Sequence, residues 1–174
     1  MKKWIQLTLL VIVACVLGAC TGLDIFADED TKDEAEEVTP IDELEHIEHF
    51  QDGALAHILE GELNRKGQAV GFHYEALPTA NGEIVADSKT DEDHNGVYEA
   101  KVIISDVEKT SNGGKSSFFP IDWDTQDVVD AMNEAYDNRT FISGNTYEGI
   151  TEEGIIIHMY LDKSDKIISA FPVY

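Results

Sequence analysis

From Ile41 onward the hydrophobic positions repeat first at helical and later at alternating spacing. Leu44, Ile47, Phe50, Leu55, Ile58 and Leu59 recur at roughly one-turn intervals, with Gly53 interrupting the series. This predicts two short helices, the second over about Ala54–Leu63, with Gly67 as a C-terminal stop. Strand-like runs follow at about Ala69–His73, Ile84–Ala86 and Tyr98–Ile104. Ser111-Asn112-Gly113-Gly114 reads as a turn or loop, because paired glycines permit positive φ. Pro120 and Asp122 lead into a helix with Asp122 or Asp124 as N-cap and an apolar stripe of Val128, Val129, Met132, Ala135 and Tyr136, ending near Asn138. The last third predicts antiparallel strands at about Arg139–Ile142, Thr146–Tyr147, Ile155–Leu161 and Lys166–Pro172, with Asp162–Asp165 as the final hairpin turn. N-terminal helices, then antiparallel strands with one further helix and no βαβ alternation, make the expected class α+β.

Ahead of this pattern the chain changes character twice. Lys2 and Lys3 precede an apolar run from Trp4 to Leu17, too short for the roughly 20 residues of a membrane span. Residues 1–19 therefore read as a signal peptide. Leu17-Gly18-Ala19-Cys20 looks like a bacterial lipobox, which makes Cys20 the expected lipidation site and an extracytoplasmic membrane anchor, or secretion, the expected destination. Residues 20–45 are acidic and nearly free of aromatics, so they read as a disordered spacer. Residues 46–174 are the expected folded domain. Cys15 and Cys20 are the only cysteines of the 174 residues, which leaves that domain without a disulfide, a thiolate nucleophile or a cysteine metal site.

Charge complicates the choice of partner. The formal net charge is −23, and from Gly53 onward 22 acids still face only 9 Lys and Arg. Such a surface repels polyanions at long range, although screening confines the effect to about 8 Å at physiological salt. Lys115, with Arg65 and Lys66, is the expected source of a local positive cleft.

Three segments carry candidate chemistry: His57-Ile58-Leu59-Glu60-Gly61-Glu62, Gly71-Phe72-His73-Tyr74-Glu75, and Gly113-Gly114-Lys115-Ser116. Two imidazoles and an ammonium form a complete set for RNA transesterification. One imidazole takes the 2′-OH proton, the other protonates the departing 5′-oxygen, and the cation neutralises charge on phosphorus. Each group also has a plainer reading, as a solvated or packed side chain. Phe118, Phe119 and Trp123 read as core residues, and His158 as structural or surface. His46, Glu48 and His49 lack a third fixed metal ligand, and the Asp91–Gly96 stretch lacks the spaced ligands of a calcium loop.

The five runs HILEGE, GFHYE, NGGKSSFFP, NTYEG and SAFPVY, in that order, resemble the bacterial branch of the EndoU endoribonuclease family. The resemblance covers about Leu55 to Tyr174. It implies an EndoU-like fold, with His57 as general acid, His73 as general base and Lys115 as the phosphate-stabilising cation. It further implies that Ser169 and Phe171 hold uridine, Phe171 standing where relatives often carry tyrosine, and that Glu62 supports local structure. Ala56 stands where animal relatives have a glutamate, which removes one basis for expecting manganese dependence. No metal or cofactor is expected. The implied activity is cleavage of single-stranded RNA, preferably at uridylates, to 2′,3′-cyclic phosphate ends, with DNA resistant. A toxin role with an immunity partner, or a scavenging role, follows by analogy. The alternative is a catalytically silent surface lipoprotein that uses the same fold to bind a partner. The acidic surface makes one expectation specific: modest salt added to a very dilute buffer leaves RNA cleavage unchanged or raises it, and a steep loss of rate in a salt titration contradicts it.

Overall fold

Described residues of the computed structural model run from 38 to 174, so the expected signal peptide, Cys20 and the spacer up to residue 37 lie outside them. Strands β1 (Glu62–Leu63) and β2 (Ala69–Val70) pair as a small hairpin. A first antiparallel sheet is built around β4 (Tyr98–Ile104), with β3 (Gly82–Ile84) on one side and both β5 (Val107–Glu108) and β6 (Lys115–Phe118) on the other. A second contains β7 (Thr140–Ser143), β8 (Thr146–Ile150), β9 (Ile156–Leu161) and β10 (Ile167–Pro172), in the order β10-β9-β8-β7. The helices are α1 (Ala54–Leu59) and α2 (Thr125–Asp137). The class is α+β, as the pattern predicts.

Alternation explains the first sheet. Tyr98, Ala100, Val102 and Ile104 of β4 are buried and pack with Phe72 and Phe118. Ser105 and Asp106, both at positive φ, turn the chain from β4 into β5 in a two-residue hairpin. The chain leaves this edge at Lys109, whose N–H donates to Val102 O at 3.0 Å, and re-enters it at Lys115, opposite Lys101. Helical periodicity explains α2: Val128, Val129, Met132 and Ala135 are buried against Ile157, Met159 and Ala170 of the second sheet. Gly149 permits that approach, because a Cβ there would fall 1.9 Å from Ala135 O.

The first expected helix does not form. Leu44 and Phe50 are buried as their spacing implies, but Ile47 is 44% exposed, and the only helical turn is the 3-10 segment Ile41–Glu43. Backbone pairing competes with the helix here. Ile167 N–H donates to His49 O at 2.8 Å and Gln51 N–H to Ile167 O at 2.9 Å, which commits these groups to the edge of β10. Helix α1 is shorter than expected because Gly61, at φ +76°, turns its N–H back to Ala56 O, which already accepts the helical bond from Glu60 N–H. The expected strand Ala69–His73 keeps only its first two residues. Residues 111–114 form a 3-10 turn with Gly113 and Gly114 at positive φ, within the turn or loop expected there, while β5 and β6 arise where alternation gave no signal. The expected spacer also ends earlier than residue 45. Thr39 donates from N–H and from Oγ1 to the two Asp124 carboxylate oxygens, each at 2.6 Å.

Asp124 thus has two tasks, since its side chain also caps α2 in a reciprocal box with Asp127. Asp124→Ala is expected to lower unfolding stability by about 1–2 kcal/mol. Asp124→Asn, which keeps the acceptor, is expected to cost less. Urea unfolding of the two variants checks this, and equal losses would show that the cap is not what stabilises the helix.

Candidate active site

A short helix end and a glycine build the site. The last carbonyls of α1 have no partner within the helix. Phe72 N–H donates to His57 O at 3.2 Å and His73 N–H to Ile58 O at 2.8 Å, so the GFH segment supplies the missing donors. Such a close approach requires Gly71: its φ is +76°, and a Cβ there would lie 1.9 Å from His57 O. Phe72 follows with φ +63°, a conformation uncommon for a large side chain. His57 and His73 are thereby held side by side although sixteen residues apart.

Each imidazole has a different environment. His73 is 6% exposed, and its Nδ1 lies 2.7 Å from Ser117 O. A carbonyl only accepts, so Nδ1 carries the hydrogen and Nε2 is the free acceptor of the neutral ring. Burial first, and the Lys109 charge second, lower the His73 pKa to about 3, so this imidazole is neutral at ordinary pH. Its ring stacks on Phe171 at 5.2 Å and 21°. His57 is more open. Its Nδ1 lies 3.1 Å from Glu62 Oε1 and its Nε2 3.2 Å from Ser169 Oγ. A carboxylate only accepts, so in this contact the hydrogen lies on His57 Nδ1.

Around these rings lies a cleft of about 500 Å³, lined also by Lys109, Lys115, Ser116, Asn112, Tyr160 and Ser169 among others, and among the described residues no carboxylate lines it. All five expected site residues, His57, His73, Lys115, Ser169 and Phe171, border this one space. Glu62, expected to support local structure, contacts His57 directly. Lys115 Nζ pairs with Glu99 Oε2 at 2.8 Å. Arg65 and Lys66, expected beside Lys115, instead occupy the exposed turn between β1 and β2, and the second cation of the cleft is Lys109. The sequence does hint at Lys109, which flanks the same glycine loop as Lys115. Tyr160 gave no comparable signal.

The register of β10 explains why. Ile167 pairs with Leu161, but Ser169 pairs with Tyr160, so one extra residue is absorbed at Ile168. This bulge reverses the phase of the strand. Ile167, Ala170 and Pro172 are buried, while Ser169 and Phe171 turn with Tyr160 and His158 to the side of the cleft.

Phe118 and Phe119 are fully buried, and Trp123 packs partly buried against the core. His158 contacts Glu148 at 3.0 Å and the edge of Phe171. His46 pairs with Asp130 and His49 stacks on Tyr136; among the described residues no three His, Cys, Asp or Glu side chains gather as a metal site.

Because the unfolded histidine binds a proton near pH 6.5 and the folded His73 only near 3, stability is lost as pH falls through that window. Relative to His73→Gln, which can still donate to Ser117 O, the wild-type protein is expected to lose up to about 1.4 kcal/mol per pH unit below that upper limit. Urea titrations at pH 7, 6 and 5 measure the gap, and a constant gap would mean that His73 titrates normally when folded.

The family model described as bacterial EndoU nuclease matches residues 51–174, which include every residue of this cleft. A curated protein named Toxin, from Bacillus cereus, is 49% identical over 132 residues, covering 76% of this chain and 24% of that protein. The chain thus spans about a quarter of that relative's length. No solved structure matches the chain.

Proposed function

The chain belongs to the bacterial EndoU nuclease family, and on that premise we propose that it cleaves single-stranded RNA, preferably at uridylates, by attack of the ribose 2′-oxygen on the adjacent phosphate. The observation that carries this reading is the opposed hydrogen bonding of the two imidazoles. His73 Nδ1 is occupied by Ser117 O, which leaves Nε2 to accept the 2′-OH proton. His57, backed by Glu62, gives its Nε2 proton to the leaving 5′-oxygen. The O2′–P bond forms as the P–O5′ bond breaks, giving a 2′,3′-cyclic phosphate and a 5′-hydroxyl. Lys115 faces the charge that builds on the phosphoryl oxygens.

Specificity rests on the β10 bulge. Ser169 offers a hydroxyl to the base, and Phe171 with Tyr160 offers aromatic surface and a phenol. Tyr160 is placed to supply the hydroxyl that Phe171 lacks. The imidazoles and the ammonium together cover proton transfer and charge neutralisation, which supports a reaction without metal. DNA resists because it has no 2′-OH.

The Toxin name of the Bacillus cereus relative supports a toxin role for the same kind of domain, with a cognate immunity protein as partner. The lipobox-like Leu17-Gly18-Ala19-Cys20 supports export and anchoring through a lipid on Cys20. A uridine-containing oligoribonucleotide and its all-deoxy counterpart test the chemistry. Only the RNA is expected to be cut, with cyclic phosphate ends seen by mass spectrometry and with chelator leaving the rate unchanged. His57→Ala, His73→Ala and Lys115→Ala are each expected to lower the rate by at least about 100-fold while remaining folded. A folded wild-type protein that never cuts RNA would favour the silent binding module.

A further inference from the structure

Lys109 is a charged cleft residue that the reaction above does not use. Its position is set by the sheet: the chain quits the β4 edge at Lys109, opposite Val102, and returns at Lys115, opposite Lys101. Neighbouring positions of a strand face opposite ways. Lys109 accordingly contacts Ser116, on the buried face with Ala100, whereas Lys115 contacts Glu99 on the other. The two ammonium groups reach one cleft from the two faces of a single sheet edge.

Their surroundings differ in a way that matters for an anion. Lys115 is already neutralised in part by Glu99 at 2.8 Å. Lys109 Nζ donates to Ser116 Oγ at 2.7 Å and to Gly71 O at 3.3 Å, and among the described residues no carboxylate lies within ion-pair distance. Ammonium has three hydrogens, and these two acceptors account for two of them. Stabilising Gly71 O is not a sufficient reason for the lysine, since Ser116 Oγ donates to that carbonyl at 3.1 Å by itself. A largely buried cation without a counterion is expensive. Burial pulls the Lys109 pKa down to about 8, as expected for a charge that lacks a partner.

We propose that Lys109 is a second phosphate-contacting cation of the cleft, its third hydrogen directed to a non-bridging oxygen of the RNA phosphate that lies between the two imidazoles. The proposal rests on the nuclease reading and adds a residue to it. Bound phosphate supplies the counterion that the folded protein lacks, so the burial cost of Lys109 is relieved only when substrate arrives. Gly71 O, which Lys109 contacts, belongs to the residue held against His57 and is two positions before His73, so the cation and both imidazoles share one rigid frame. The Lys109 charge also opposes protonation of His73, keeping the proposed base ready in acid.

The test uses Lys109→Gln, which keeps a donor for Ser116 or Gly71 O without charge, and Lys109→Arg, with folding followed by circular dichroism. Two readouts are taken: single-turnover cleavage of a uridine-containing oligonucleotide from pH 4 to 9, and calorimetric affinity for uridine 3′-monophosphate. Lys109→Gln is expected to cut about 100-fold more slowly, to bind the nucleotide at least about tenfold more weakly, and to shift the acid limb of the rate to higher pH because His73 no longer feels the cation. Lys109→Arg is expected to recover much of the binding. A folded Lys109→Gln with wild-type rate, affinity and acid limb overturns the proposal while leaving the nuclease reading intact. Should the wild type fail to cut RNA, the nuclease reading falls, yet loss of nucleotide binding in Lys109→Gln would still show the anion contact. Should Lys109→Gln fail to fold, the wild-type affinity decides: it is expected to weaken as pH rises from 7.5 to 9.5, and a flat response overturns the proposal.

Discussion

Two backbone hydrogen bonds, from the amides of Phe72 and His73 to the carbonyls of His57 and Ile58, hold the candidate site together. A helix of six residues is too short to be stable alone and must find partners for its last carbonyls. The glycine-led segment 71–73 supplies them. The same two bonds bring one imidazole from the helix and one from the following segment to the same cleft. Everything else is arranged around that pair: Ser117 O fixes the tautomer of one ring, and Glu62 with Ser169 brackets the other. Phe119 N–H donates to His73 O at 2.9 Å, tying the frame to the end of β6.

That arrangement also reconciles an acidic chain with the polyanionic substrate proposed for it. The net charge of −23 describes the whole molecule, but among the described residues the cleft lining contains two lysines and two histidines and no carboxylate. Glu99 pairs with Lys115 at 2.8 Å, and Glu62 contacts His57 at 3.1 Å beside Asp52 in the hollow that adjoins the cleft. At physiological salt the distant acids are screened over about 8 Å, so the local sign decides close approach. The long-range field bears on the rate of encounter, whereas the proposed chemistry depends on short contacts between fixed groups.

The two histidines illustrate how environment divides labour between identical side chains. His73 is buried and lies near a cation, and these two effects favour the neutral ring and outweigh its hydrogen bond to Ser117 O, which favours the charged one. His57 is more exposed, and its Nδ1 faces the Glu62 carboxylate at 3.1 Å. A base and an acid are needed together in the proposed reaction, and the fold gives the two imidazoles different partners, a carbonyl for one and a carboxylate for the other.

Much of this was legible in the chain itself. The α2 stripe, the length of β4 and the last three strands follow from periodicity, since burial of one face imposes its spacing on the residues. His57, His73 and Lys115 were legible through the order of their motifs, whereas the close approach that Gly71 allows is seen only in the structure. Other features depend on partners distant in sequence, and no local pattern encodes those. Phe50 was legible as a core residue, but its pairing with Ile167 displaces a helix that local spacing favoured. Lys109 becomes a cleft residue only because β5 and β6 share one edge of β4 and throw the loop between them outward. The phase of β10 is the clearest case. Strict alternation would turn Ser169 and Phe171 toward the core with Ile167, and a single bulge against β9 turns them to the cleft. Side-chain alternation is a property of the strand, but where it slips is decided by the strand it pairs with.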